Sequence, residues 1–398
     1  MQHLLSERHN TLSVSKTIQM AALSRELKEQ GKQVISLSLG EPDFHTPRHI
    51  MDAGIRGIEE NYHAYPPVAG YPDLKAAICN KFKRDNGLDY NPNQIVVSAG
   101  AKQSIVNIML SLLNPGDEVL IPAPFWVSYP DMVKLAQGTP KHIYAGIDKD
   151  FKVTPEQLRG ALNEKTKVFL FSSPSNPTGS VYTKEELAAF VEVLKNFPDV
   201  IIISDEIYEY INFQGGHQSI AQFESVKDRV VIINGVSKGF AMTGWRIGYI
   251  AAPQWLAKAC EKIQGQITSG ACSIAQRAVI EAMTGDLSPT IMMRDSFLKR
   301  RDLVKSLLDD IPGVITNQPN GAFYIFPNVK SYIGKTDGTK TIENVDELCM
   351  YILESVHVAL VGGSSFGNDN CLRISYAAAE EDLKEAIARI KSCLSQLK

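Results

Sequence analysis

Lys238 and Asp205 each stand just beyond an apolar run of strand length, Val230–Ile233 and Val200-Ile201-Ile202-Ile203-Ser204 respectively. An amine at the mouth of a buried sheet loses hydration, which favours its neutral form. A neutral lysine can form a Schiff base with a carbonyl compound. Arg246, eight residues after Lys238 in the same Gly-rich stretch, could hold an anion while the lysine holds the carbonyl. Pyridoxal phosphate (PLP) carries both groups. A lone lysine in a loop is ordinarily a surface residue, so the weight falls on its company.

A carboxylate at the end of a buried strand is costly unless paired. Asp205 alone reads as a helix N-cap or turn former; beside PLP it has a partner in the protonated pyridine nitrogen, keeping the ring able to accept electrons. Tyr208 would follow one turn later if the chain turns helical, its hydroxyl reaching the cofactor's phenolic oxygen; otherwise it is a core tyrosine. Ser173-Pro174-Ser175-Asn176-Pro177-Thr178-Gly179 is a rigid turn by composition, and such a turn can aim one side chain, Asn176, at that oxygen from the other side. Residues 98–103, Ser-Ala-Gly-Ala-Lys-Gln, pass from strand to helix, so Gly100, Ala101 and Lys102 would offer backbone N–H groups to a phosphate. Arg373, inside the apolar run Cys371–Tyr376, is either a structural ion pair or a planar fork for a substrate carboxylate. Trp126 could stack on a planar ring or sit in the core, and Tyr65 lies in an extended loop from which it could touch a phosphate.

These residues need a scaffold, and the hydrophobic pattern supplies one. Strand-length runs at Ile95–Val97, Glu118–Ile121, Val168–Phe171, Val200–Ser204, Val230–Ile233 and Ile247–Ala251 alternate with helical segments such as Lys102–Leu113 and Lys184–Asn196. Short apolar strands separated by helices indicate an α/β fold with a mostly parallel sheet covered on both faces. Ligands in such folds sit beyond the carboxyl ends of the strands, where the polar residues above fall. The last third predicts one helix over Cys260–Met283, another over Ser288–Asp310, short strands at Ala322–Pro327, Val358–Val361 and Cys371–Tyr376, and a closing helix from Glu380 to about Lys398. We therefore expect a large domain at 46–284 and a smaller α+β domain from 1–45 and 285–398.

Lys+Arg 41 against Asp+Glu 44 leaves a net charge of −3, which argues against nucleic-acid or polybasic membrane roles. Six scattered cysteines without a CxxC pair fit reduced thiols better than a zinc site or disulfide frame. Met1–Lys16 lacks the apolar centre of a signal peptide, and cytoplasm is the expected compartment. GxGxxG, Walker and HExxH patterns are absent, and no metal is expected.

The combination of SPSNPTG, SDEIYE, SKGFAMTGWRIGY and the late LRISYA resembles the fold-type-I PLP enzymes, class I/II aminotransferases, and within them the bacterial aspartate aminotransferases of the gamma subgroup. The resemblance implies Lys238 as Schiff-base lysine and proton shuttle, Asp205 as ring-nitrogen partner, and Tyr208 and Asn176 as phenolic-oxygen partners. It implies Trp126 as the stacking residue, and Arg246, Ser237 and the 100–102 turn as phosphate ligands. Tyr65 is similar to the tyrosine that reaches the neighbouring subunit's phosphate, which implies a homodimer with shared active sites. Arg373 and the Gly40 backbone resemble the clamp on the substrate α-carboxylate, and a cis Asn176–Pro177 bond is implied. One departure stands out: many relatives carry a phosphate-binding serine where this chain has Gly235.

The resemblance implies transfer of the amino group of L-aspartate to 2-oxoglutarate in ping-pong fashion. Lys102 matches the lysine that meets the distal carboxylate of dicarboxylic substrates, whereas Gln264–Ser273, where the alpha-type enzymes carry an arginine, has none. Aromatic amino acids or prephenate are the alternative substrates; Ser13 stands near the place where prephenate users often carry a basic residue. A PLP-dependent carbon–sulfur lyase would share Lys238, Asp205 and Arg373. A PLP-sensing regulator would require a DNA-binding domain, for which the residues ahead of the matching region leave no room.

Overall fold

Along Ile201-Ile202-Ile203-Ser204-Asp205, side chains alternate between two covered faces of one sheet. Ile201 and Ile203 pack with Ile105, Met109 and Leu256 on one side, and Ile202 packs with Phe82, Phe190 and Leu194 on the other. The computed structural model describes residues 4–398. The strands are β1 (Ile35–Ser36), β2 (Ile95–Ser98), β3 (Glu118–Ala123), β4 (Thr139–Tyr144), β5 (Thr166–Ser172), β6 (Ile201–Asp205), β7 (Val230–Gly235), β8 (Gly248–Ala251), β9 (Tyr324–Ile325), β10 (Val358–Ala359), β11 (Val361–Gly362) and β12 (Leu372–Ser375). The helices are α1 (Glu7–Asn10), α2 (Lys16–Glu29), α3 (Arg48–Glu59), α4 (Pro72–Asn86), α5 (Ala101–Leu112), α6 (Tyr129–Leu135), α7 (Pro155–Ala161), α8 (Lys184–Leu194), α9 (Gln254–Ile267), α10 (Ser273–Thr284), α11 (Ser288–Asp309), α12 (Val345–Val356) and α13 (Glu380–Leu394), besides short 3-10 turns.

Seven strands form the main sheet in the order β2-β8-β7-β6-β5-β3-β4, and β8 alone runs against its neighbours. Helices α4, α8 and α10 cover one face, and α5, α6 and α9 the other. A second hydrophobic core joins α11, α12 and α13 to a parallel β1–β10 pair and an antiparallel β11-β12-β9 sheet. Tyr208 and Ile211, which follow β6, are buried in this second core and bring the two together. The fold is α/β with a mostly parallel sheet, as the apolar runs predict.

Several expectations need correcting. The helix foreseen over Cys260–Met283 is two helices, α9 and α10, parted at residues 268–272, where Ser269 and Gly270 adopt φ of 57° and 128°. Val358–Val361 splits at Leu360 into strands of different sheets, and α13 stops at Leu394. Strand β4 escaped notice because it is an edge strand; its sequence Thr-Pro-Lys-His-Ile-Tyr holds a proline and exposed polar residues instead of an apolar run. After Asp205 the chain makes turns rather than a helix.

Candidate active site

The carboxyl ends of β5, β6 and β7, the start of α5 and the segment Leu39-Gly40-Glu41 enclose a cavity of about 590 Å³. Eleven of the expected residues line it. Gly40, Ala101, Lys102, Trp126, Asn176, Asp205, Tyr208, Ser237, Lys238, Arg246 and Arg373 line it, and Tyr65, 91% exposed, does not. Gly100 stands immediately before the lining and caps α5 with φ of 88°.

Lys238 is tucked inside, its Nζ donating to the Gly40 carbonyl at 2.6 Å. Burial, with Arg373 and Arg246 adding to it and Glu41 opposing, pushes the amine down to about 8. Asp205 is the last residue of β6. Burial drives its carboxyl up to about 6, against the hydrogen bond from Tyr129. Its Oδ2 accepts from the Tyr129 hydroxyl at 2.6 Å, and its Oδ1 accepts from the Ile207 N–H at 3.2 Å. Tyr129 sits edge-on to Trp126, ring centroids 5.4 Å apart, so one aromatic pair both walls the cavity and braces the carboxylate.

Arg373 enters from β12, only 2% exposed. Its Nη2 donates to the Ser38 carbonyl at 2.5 Å and its Nη1 to Asn176 Oδ1 at 3.0 Å, while Nε has no partner. Tyr324 and Phe366 lie against the guanidinium at 4.6 and 4.9 Å. Among the described residues no carboxylate lies within ion-pair distance of it, so the structural ion pair weighed from the sequence is not what this arginine makes. Lys102 and Arg246 likewise lack a carboxylate partner among the described residues. The Lys102 Nζ lies 5.0 Å over the Trp126 ring, and burial together with Arg246 lowers its proton affinity.

Close packing of backbones shapes the anion end. A Cβ on Gly100 would run into the Arg246 guanidinium, and one on Gly248 into the Ala101 backbone N. These two glycines let the N-terminus of α5 and Arg246 converge, an arrangement that suits a phosphate. Gly235 pairs with Gly248 across β7 and β8, and a Cβ there would lie 2.9 Å from the Gly248 Cα. A serine at that position has no room in this chain. The Asn176–Pro177 bond is cis.

Sequence reasoning missed Tyr129, which follows Trp126 in the same aromatic run, and Tyr324, whose hydroxyl bonds that of Tyr208 at 2.8 Å. It also missed Ser15, Thr17 and Ile18, which wall the cavity from the N-terminal end of α2.

Four cations and a buried carboxylate around one planar aromatic make a receptor for a flat, multiply anionic ligand with a carbonyl. The chain matches the family "Aminotransferase class I and II" over residues 32–390. It belongs to that family. This aminotransferase is 48% identical over 391 residues to the aspartate/prephenate aminotransferase of Cereibacter sphaeroides, covering 98% of each chain. The crystal structure of the aspartate aminotransferase of Rhizobium meliloti superposes with a TM-score of 0.96 at 40% identity, over 99% of each chain. The Thermus thermophilus aspartate aminotransferase, solved with maleate, gives 0.92 at 35% identity, over 98% of this aminotransferase and 99% of the other. Members of the family work with PLP and small-molecule substrates.

Proposed function

We propose that this aminotransferase transfers the amino group of L-aspartate to 2-oxoglutarate in two half-reactions at the 590 Å³ cavity. One observation carries the reading: Arg373 and Lys102, two buried or half-buried cations without carboxylate partners, face the same cavity as Lys238. A dicarboxylic substrate offers one anion to each. The maleate of the Thermus thermophilus structure is a dicarboxylate of the same kind.

The residues present fit PLP. Asp205 would hold the ring nitrogen, Tyr208 and Asn176 the phenolic oxygen, and Trp126 would stack on the ring. Arg246, Ser237, Gly100, Ala101 and Lys102 would hold the phosphate. When bound, PLP supplies the carbonyl that takes up an amine and the ring that accepts the electron pair left by the departing Cα proton.

The chain supplies the rest. Lys238, with its proton affinity lowered to about 8, has a substantial neutral fraction at physiological pH and can take a proton from the substrate Cα and return it elsewhere. Arg373 orients the substrate α-carboxylate, with Gly40 beside it. Tyr65, exposed outside this chain's own cavity, would reach the cofactor phosphate of the neighbouring subunit in a homodimer. We assign 46–284 to the cofactor-holding domain and 1–45 with 285–398 to the domain that brings Arg373, residues 1–3 lying outside the described residues. We place the enzyme in the cytoplasm; no helix among the described residues is long and apolar enough to cross a membrane.

A second reading, prephenate or an aromatic amino acid as donor, draws on Ile18, Leu39, Val127 and Ile207 in the cavity wall and on the name of the Cereibacter sphaeroides relative. Addition of L-aspartate alone to PLP-loaded protein distinguishes them. Conversion to the pyridoxamine spectrum, with oxaloacetate released and reversal by 2-oxoglutarate, is expected. A spectrum that changes only with an aromatic donor would overturn the choice of aspartate, and pyruvate with ammonia from cystathionine would point to lyase chemistry.

A further inference from the structure

Behind Asp205, on the opposite face of the sheet, lies a buried cluster of charges that the reaction does not touch. Glu206 is fully buried and follows Asp205, but its side chain turns toward α4 instead of the cavity. Its Oε1 accepts from the Ser204 and Ser219 hydroxyls at 2.8 and 2.7 Å. Its Oε2 lies 3.0 Å from Nε2 of His217, itself buried, and neither nitrogen of His217 has an aligned hydrogen-bond partner.

A second pair stands alongside. The ammonium of Lys81, on α4, meets Glu209, and both are buried. Asn86 bridges them, accepting from Lys81 at 2.9 Å and donating to Glu209 at 3.3 Å. Asp85 lies 3.8 Å from Lys81 and accepts from the Tyr210 hydroxyl. The groups facing His217 are thus Glu206 and Glu209 from the chain after β6 and Lys81 from α4. Tyr90 and Tyr249 bring hydroxyls into the field of Glu206.

We infer that His217 is a charged imidazolium paired with Glu206, and that it acts as a positioning residue by cancelling the Glu206 charge felt at Asp205. The inference rests on the reading of Asp205 as partner of the cofactor ring nitrogen. With Lys81 committed to Glu209, a neutral His217 would leave Glu206 an unpaired anion one residue from Asp205. The Glu206 charge raises the proton affinity of Asp205, and a protonated Asp205 cannot act as a counter-ion. Burial opposes a proton on His217, but Glu206 and then Glu209 outweigh it and leave its proton affinity above that of a free histidine. Asp205, raised first by burial, is raised again by Glu206.

The test uses the PLP-loaded enzyme, nitrogen-15 labelled at histidine, with H217Q serving to assign the signal. An imidazolium at pH 7, whose proton is lost at lower pH in E206Q, is expected. PLP dissociation is then followed against pH. H217Q should loosen PLP about tenfold and move the acid limb of binding up by about one pH unit, a unit being a factor of ten. E206Q/H217Q, again balanced in charge, should return to within about threefold of the parent. A neutral imidazole at pH 7 overturns the inference without any variant having to fold. So does a double variant as weak as H217Q, or an H217Q that holds PLP like the parent while Asp205→Ala does not. If Asp205→Ala itself keeps normal binding and rate, the role of Asp205 falls instead, and the imidazolium signal still decides the pair.

Discussion

Arg373 Nη1 donates to Asn176 Oδ1 at 3.0 Å, joining β12 of the small antiparallel sheet to the turn after β5 of the large one. A guanidinium has only donors, so the amide oxygen of Asn176 must face it, and the amide N–H groups are left to point elsewhere. One contact therefore orients both side chains, which in the proposed reading serve a substrate carboxylate and the phenolic oxygen of the cofactor. Arg373→Lys keeps the charge but loses the fork. It should lower kcat/KM for aspartate by about 30- to 100-fold, mainly through KM, the loss of a bidentate charge-assisted contact. Steady-state kinetics with KM unchanged would remove Arg373 from the substrate site.

Lys238 is lowered by burial to about 8. In protein stripped of PLP, its trapping by an aldehyde and borohydride should reach half its maximal rate near that pH rather than near the ordinary lysine value of about 10.4. The folded chain releases this proton first, so its contribution to stability grows as pH rises across that window. Lys238→Ala should lower kcat by at least about 10³-fold, on the scale of a lost general base. Mass spectrometry after trapping, with an adduct on some other lysine, would overturn the assignment.

Tyr129 donates to Asp205 at 2.6 Å and so favours its ionised form. Tyr129→Phe removes that bond while keeping the ring against Trp126. The carboxyl should rise further above about 6, moving the acid limb of the pH–rate profile up by about one unit. An acid limb that does not move would show the bond to be structural only.

Lys102 lies over Trp126 with no carboxylate partner among the described residues. Lys102→Gln should raise KM for aspartate and 2-oxoglutarate by about tenfold or more, and leave monocarboxylic amino acids within about threefold. Equal losses for both classes would place Lys102 on the phosphate alone.

What the sequence made legible divides along physical lines. The inner strands are apolar on both faces, so Val230–Ile233 and Val200–Ser204 announce themselves, and with them the positions of Lys238 and Asp205. Edge strand β4 carries no such run. The break between α9 and α10 was written in Ser269-Gly270, but a helical period on either side concealed it. Tyr129 and Tyr324 act through hydroxyls that meet Asp205 and Tyr208 only in three dimensions, and an aromatic in an apolar segment reads as core. Ser15, Thr17 and Ile18 reach the cavity because α2 packs beside it, which no local pattern signals. Gly235, the last residue of β7, pairs with Gly248 of β8, a contact that no local pattern signals.

The bond from Arg373 to the Ser38 carbonyl spans 335 positions of chain. During synthesis the lysine, the aspartate and the phosphate turn all leave the ribosome well before that arginine does. All the strands of the large sheet and its converging glycines are thus synthesised before β12 and its arginine. In the proposed reading the hold on the substrate α-carboxylate arrives last, with the strand that closes the distance back to residue 38.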